Sequence, residues 1–129
     1  MKRIFLTGSN GFLGSHIARK LVDEGHHVVG LVRKNGASLP PLIPKSHLIE
    51  YCEGDIRDPE SYVLALRKCT IVIHCAALTA YGVKRTRDYY DINVEGTKSL
   101  LEKSVDCGIE RFIHTSSRAV FGVAENPEL

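Results

Sequence analysis

One eight-residue segment, Thr7-Gly8-Ser9-Asn10-Gly11-Phe12-Leu13-Gly14, constrains this chain more than any other. It follows a short apolar run, Arg3 to Thr7, and precedes a stretch in which Leu13, Ile17 and Leu21 recur four apart. It therefore joins a strand to a helix, and each glycine then has a task. Gly8 permits a tight turn out of the strand. Gly11 lets backbone N–H groups approach a pyrophosphate with no Cβ in the way. Gly14 lets the helix pack close to the sheet. The helix N-terminus adds its partial positive charge. Ser9, Asn10, Phe12 and Leu13 lie between these glycines and join the candidate binding set. The alternative is a glycine-rich turn with no ligand. The segment has no Gly-Lys-Ser/Thr, so it is not a triphosphate-binding loop.

The rest of the chain alternates in the same way. Gly25 stops the first helix, and His27 to Val32 is a valine-rich second strand. Asn35 to Pro44 holds three prolines and a glycine and reads as a surface loop. Leu48 to Cys52 is a third strand. Asp58-Pro59 reads as an N-cap with a first-turn proline, opening a helix to about Lys68. Thr70 to Cys75 is a fourth strand. Tyr90, Val94, Thr97, Leu101 and Val105 share one helical stripe, closed by Gly108, and Arg111 to Thr115 is a fifth strand. Ser116 to Leu129 shows no periodicity. Five β–α alternations predict an α/β fold: a doubly wound parallel sheet with helices on both faces and a ligand beyond the carboxyl ends of the strands.

Composition narrows the function classes. The 129 residues amount to about one domain. The formal net charge of +2 gives no electrostatic case for nucleic acid or an anionic membrane. No apolar run approaches the roughly 20 residues of a membrane helix, and the stretch after Met1-Lys2-Arg3 is too short for an export signal. Cys52, Cys69, Cys75 and Cys107 form no Cys-x-x-Cys pair and no zinc-like spacing. They read as thiols in a reducing cytoplasm, and no metal is expected.

The three-apart glycine spacing resembles the short-chain dehydrogenase/reductase superfamily. Within it the chain resembles the extended branch, the NAD(P)-dependent epimerase/dehydratase family. Four further segments match in order. Gly54-Asp55-Ile56-Arg57-Asp58 looks like the family's acidic-plus-apolar pair, placing Asp55 and Ile56 about the adenine. Ile73-His74-Cys75-Ala76-Ala77 looks like the strand end beside the ribose and pyrophosphate, implicating Cys75, Ala76 and Ala77. Tyr89 to Thr97 looks like the central helix, with its Asn at Asn93. Thr115-Ser116-Ser117-Arg118-Ala119-Val120-Phe121-Gly122 looks like the segment carrying the catalytic Ser, which falls on Ser117, with Thr115 and Ser116 among the cofactor-binding positions. Each has a plainer reading: Asp55 as a turn acid, Ala76 and Ala77 as ordinary small residues, Asn93 as a buried group satisfying backbone, Ser117 as a loop serine. His74 and His114 read as core or strand-end histidines, not ligands or bases.

The resemblance implies a Rossmann-type sheet of order 3-2-1-4-5, truncated before the last strands and the substrate lobe. It also implies a nicotinamide cofactor. NAD-using relatives carry Asp where Val32 stands, whereas Arg33 and Lys34 follow here at once. A carboxylate would repel a 2′-phosphate, and a guanidinium can grip it with two charge-assisted hydrogen bonds, so NADP is favoured over NAD. The family's Tyr-x-x-x-Lys pair is absent. Four residues after Tyr51, Tyr62, Tyr81, Tyr89 and Tyr90 stand Asp55, Leu66, Arg85, Asn93 and Val94. The 129 residues are accordingly expected to be the cofactor-binding N-terminal portion of a longer enzyme. The alternatives are a natural short product that binds cofactor without chemistry, such as a redox-sensing module, or a partner chain supplying the rest. A methyltransferase-like domain is disfavoured by the glycine spacing. The expected reaction is hydride transfer at a carbonyl, alcohol or nucleotide-sugar carbon of a small molecule. By analogy, a homodimer would pair through the helix from Asp88 to Cys107.

Overall fold

The computed structural model describes residues 1–33, 46–79 and 86–122. The proline-bearing loop, Lys34, the Tyr81/Arg85 pair and the last seven residues lie outside them. Five strands pair side by side: β1 (Arg3–Thr7), β2 (His27–Val32), β3 (Ile49–Glu53), β4 (Ile71–His74) and β5 (Arg111–His114). All neighbours are parallel, in the order β3-β2-β1-β4-β5. The parallel sheet is the one the alternation predicted, and its order is the one the resemblance implied. Its reversal point lies between β1 and β4, where a doubly wound fold opens its ligand crevice.

Side-chain alternation on β1 divides the core into two layers. Ile4 and Leu6 pack with Ala18 and Val22 of α1 (Phe12–Asp23) and with Val28 and Ile73. Phe5 faces the other way, with Val29, Leu31 and Val72 of the sheet, Leu66 of α2 (Val63–Leu66) and Leu100 of α4 (Thr97–Asp106). Cover on both faces explains why the central strands read as nearly continuous apolar runs. Among the described residues no helix is long and apolar enough to cross a membrane.

Three helical expectations need correction. Asp58 does not cap one long helix: Pro59–Ser61 is a single tight 3₁₀ turn, followed by the short α2. The Ser61 hydroxyl diverts the chain, donating to the Asp58 carbonyl at 2.5 Å and accepting the Asp55 amide at 3.1 Å. In α1 the buried positions are Gly14, Ser15, Ala18 and Val22, one step round from Leu13, Ile17 and Leu21. The third concerns 86–106, which runs as α3 (Thr86–Tyr89), a π-helical segment (Tyr90–Gly96) and α4. Its apolar stripe faces outward: Tyr90, Val94, Leu101 and Val105 are exposed, whereas Gly96, Leu100 and Ser104 are buried. Apart from Leu100, the buried residues there are small. A Cβ on Gly96 would lie 2.9 Å from Ile56 Cγ2, so the helix seats its glycine on Ile56.

Candidate functional site

The glycine turn is built by backbone lying directly on backbone. Gly8 adopts φ +69°, and a Cβ there would stand 2.8 Å from the Ala76 nitrogen. A Cβ on Gly14 would stand 2.0 Å from the Gly8 carbonyl oxygen. The β1 end, the first turn of α1 and the β4 end therefore stack with no room for side chains. Gly11 differs: a Cβ there would meet only the Gly8 oxygen, at 3.2 Å. Its amide donates to that oxygen at 2.9 Å, and its carbonyl accepts the Ser15 amide at 3.0 Å. No side chain caps α1 and no acid occupies its first turn. Among the described residues, the amides that open α1 thus have neither an intrahelical acceptor nor a capping carboxylate.

A cavity of about 500 Å³ opens at this helix end. It gathers Gly8, Asn10, Gly11, Phe12, Leu13 and Gly14 from the turn, Arg33 after β2, Asp55 and Ile56 after β3, and Cys75, Ala76 and Ala77 after β4. All of these were singled out in the sequence. The cavity also takes in Leu31, Gly54, Leu78, Thr79 and Ile92, which were not among the predicted site residues. Each adjoins a predicted element, Ile92 standing just before Asn93 and Leu78 just after Ala77. The donor set suits an extended anion with an apolar end: amides at the helix terminus, a guanidinium at one wall, aliphatic and small side chains elsewhere.

The Asp55 carboxylate is already engaged. Oδ1 accepts the Arg57 amide and Nε, each at 2.9 Å, and Oδ2 accepts the second guanidinium nitrogen at 2.6 Å. These bonds hold Asp55 below the usual carboxylate range against the opposing effect of burial, with Arg33 adding to the pull. Burial pushes the Cys75 thiol up, with a contact to Thr115 opposing it.

Five predicted residues lie behind the cavity wall or beyond it. Ser9 is fully buried beneath Gly30, its hydroxyl directed at the Leu31 carbonyl at 3.4 Å. Asn93 clasps the cavity-lining Leu78, accepting its amide at 2.7 Å and donating to its carbonyl at 2.9 Å. Thr115 donates to the His74 carbonyl at 2.9 Å. Ser116 and Ser117 follow on the exposed side of β5, and Ser117 Oγ accepts the Ala119 amide at 3.2 Å, capping a 3₁₀ turn (Arg118–Phe121). Lys34 lies outside the described residues.

The profile of the NAD dependent epimerase/dehydratase family matches residues 4–128. The chain belongs to that family. The UDP-glucose 4-epimerase of Neisseria meningitidis serogroup C is 36% identical over 131 residues, covering 95% of this chain and 38% of that protein. A 3 beta-hydroxysteroid dehydrogenase/Delta 5-->4-isomerase of Mycobacterium tuberculosis (strain CDC 1551 / Oshkosh) is 32% identical over 130 residues, covering 96% of this chain and 34% of that one. The crystal structure of a short-chain dehydrogenase/reductase superfamily protein from Agrobacterium tumefaciens with bound NAD aligns at a TM-score of 0.76 and 27% identity, over 93% of this chain and 34% of that chain. This epimerase/dehydratase-family chain thus spans little more than a third of the length of these relatives. The family match takes in the glycine turn, β2 to β5 and all of β1 but its first residue.

Proposed function

We propose that this chain is the dinucleotide-binding part of an NAD(P)-dependent enzyme of the epimerase/dehydratase type, and that it takes NADP in preference to NAD. One observation carries the reading. The uncapped, acid-free N-terminus of α1 opens onto a cavity at the carboxyl edge of the sheet, backed by glycines that leave no room for a Cβ. That arrangement suits a pyrophosphate, held by the amides of Phe12, Leu13 and Gly14. Asn10 borders the same space. Asp55 and Ile56 would bracket the adenine, with the carboxylate held in place by Arg57. Cys75, Ala76 and Ala77 give the ribose side a low wall.

The preference for NADP rests on Arg33, which borders the cavity where β2 ends. Its guanidinium is the group suited to a 2′-phosphate, and Lys34 would add a second cation. When bound, the cofactor supplies a hydride donor or acceptor. The chain's own contribution to the chemistry is Ser117. Its oxygen already accepts the Ala119 amide, so its proton is free to be donated to a substrate oxygen and to stabilise charge developing there. The relatives named above, a UDP-glucose epimerase and a steroid dehydrogenase, support a nucleotide-sugar, carbonyl or alcohol substrate.

Calorimetric titration with NADP⁺ and NAD⁺ tests the reading. Both should bind, NADP⁺ more tightly. Gly11→Val should abolish both without unfolding the sheet, because it fills the approach to the helix amides. Binding of neither dinucleotide to the parent chain would refute the proposal.

A further inference from the structure

A closed circuit of hydrogen bonds ties the cavity floor to the helix behind it. Thr7 Oγ1 lies 3.2 Å from the Cys75 amide and 3.1 Å from the Ala76 amide, and both amides can only donate. Its two lone pairs accept them, so its proton points to His74 Nδ1, 2.6 Å away. Nδ1 is then an acceptor, and the neutral ring carries its proton on Nε2, 2.9 Å from Thr97 Oγ1. Thr97 passes its own proton to the Asn93 carbonyl at 2.8 Å. The Asn93 side chain closes the circuit on both backbone groups of Leu78. Cys75, Ala76 and Leu78 all line the cavity, and Ala76 is the residue against which Gly8 is stacked.

We infer that His74 is a positioning residue of this site: as a neutral imidazole protonated on Nε2, it accepts from Thr7 and donates to Thr97, joining the two hydroxyls that hold the 75–78 backbone under the glycine turn. The inference rests on the dinucleotide reading only for the identity of the occupant. A proton on Nδ1 would face the Thr7 proton across the short 2.6 Å contact. Thr7 would then have to turn its proton away and release an amide: the Cys75 amide keeps the Thr7 carbonyl at 3.3 Å, whereas the Ala76 amide has Thr7 Oγ1 as its one acceptor among the described residues. His74 is 1% exposed, so no solvent compensates for a lost partner. Burial holds its pKa down to about 4, with His114 on β5, stacked at 5.2 Å, adding to the effect. The ring is therefore neutral wherever the protein works near neutral pH.

Long-range ¹H–¹⁵N spectra of the labelled chain test the circuit directly. His74 should show an unprotonated Nδ1 and a protonated Nε2 near neutral pH, unchanged at about pH 5, one unit above its own pKa and well below that of an unburied histidine. A proton on Nδ1, or a ring that titrates like an exposed histidine, would overturn the inference. The second readout is NADP⁺ affinity. Thr7→Ser keeps the hydroxyl and should bind within about twofold of the parent, whereas Thr7→Val should lose about tenfold, the worth of one buried hydrogen bond. Equal affinity for all three would also overturn it. If Thr7→Val does not fold, Thr97→Val serves instead: the proton should stay on Nε2, because Thr7 still donates to Nδ1, but its resonance should shift with the loss of the Thr97 acceptor, and an unchanged spectrum would count against the circuit. A parent chain that shows the Nε2 proton but binds no dinucleotide would overturn the proposed occupant and leave the circuit standing.

Discussion

Gly14→Ala sets two effects of known size against each other. Gly14 is the third residue of α1, where alanine is favoured over glycine by about 1 kcal/mol in helix propensity. Packing opposes it. The new Cβ would start 2.0 Å from the Gly8 oxygen and 2.6 Å from the Gly8 carbonyl carbon, so α1 or the turn must retreat by more than 1 Å. The turn cannot yield, because Gly8 rests on the Ala76 backbone, and α1 can move only by opening the layer formed by Ala18, Val22, Ile4 and Leu6. Overpacking of this kind costs about 1–3 kcal/mol, and backbone-on-backbone contact places it at the upper end. The net loss is about 2 kcal/mol, or roughly 8 °C in Tm for a chain of this length. Differential scanning calorimetry and urea titration measure it. Gly11→Val is the control: it meets the Gly8 oxygen at 3.2 Å, so Tm should fall by only a few degrees while dinucleotide binding is lost. A Gly14→Ala protein as stable as its parent would refute the stacked turn.

Other perturbations probe separate parts of the account. Arg33→Asp should weaken NADP⁺ by about tenfold to a hundredfold and NAD⁺ far less; equal losses in parallel calorimetric titrations would remove Arg33 from the 2′-phosphate. His74 couples stability to acid. Its folded pKa of about 4 lies below the usual 6.5, so between those values the unfolded chain takes up a proton that the folded chain refuses. Stability should therefore fall as pH falls through that window, by about 3 kcal/mol from this residue. Urea titrations across the window should show a flatter dependence in His74→Gln than in the parent, and identical slopes would contradict the assignment. Leu100→Ala removes a fully buried side chain from the layer beneath α4 and should cost about 2–5 kcal/mol, read as a shift in the urea midpoint.

The glycine turn was legible because its demands are local. A positive φ, a tight helix entry and a strand on one side leave their mark within eight residues. The parallel sheet followed from the β–α alternation, and its strand order from the family resemblance of the glycine turn and the segments after it. The errors share another cause: faces chosen by distant partners. The outward stripe of Tyr90, Val94, Leu101 and Val105 is the more apolar, yet the inner face carries Gly96, Asn93, Thr97 and Ser104. Those residues are small, or bond to Leu78 and His74, and a hydrophobic pattern passes over all of them but Thr97, which it places on the apolar stripe. Ser61 hides in the same way, since its hydroxyl shortens a helix only once Asp55 and Asp58 are beside it. Ser9 reads as a ligand-facing residue until Gly30 is seen to pass above it. His74 is a plain strand-end histidine in the sequence, and only the register with Thr7 and the approach of Thr97 give it a role.

The central claim is that the amides opening α1 hold the pyrophosphate of a nicotinamide dinucleotide. Backbone amide spectra of the ¹⁵N-labelled chain, recorded during titration with NADP⁺, test it most directly. The account predicts the largest shifts at Gly11, Phe12, Leu13, Gly14 and Ala76, with smaller ones at Arg33 and Ile56. Shifts confined to the opposite edge of the sheet, around Lys2 and Glu110, or no shifts at all, would contradict it.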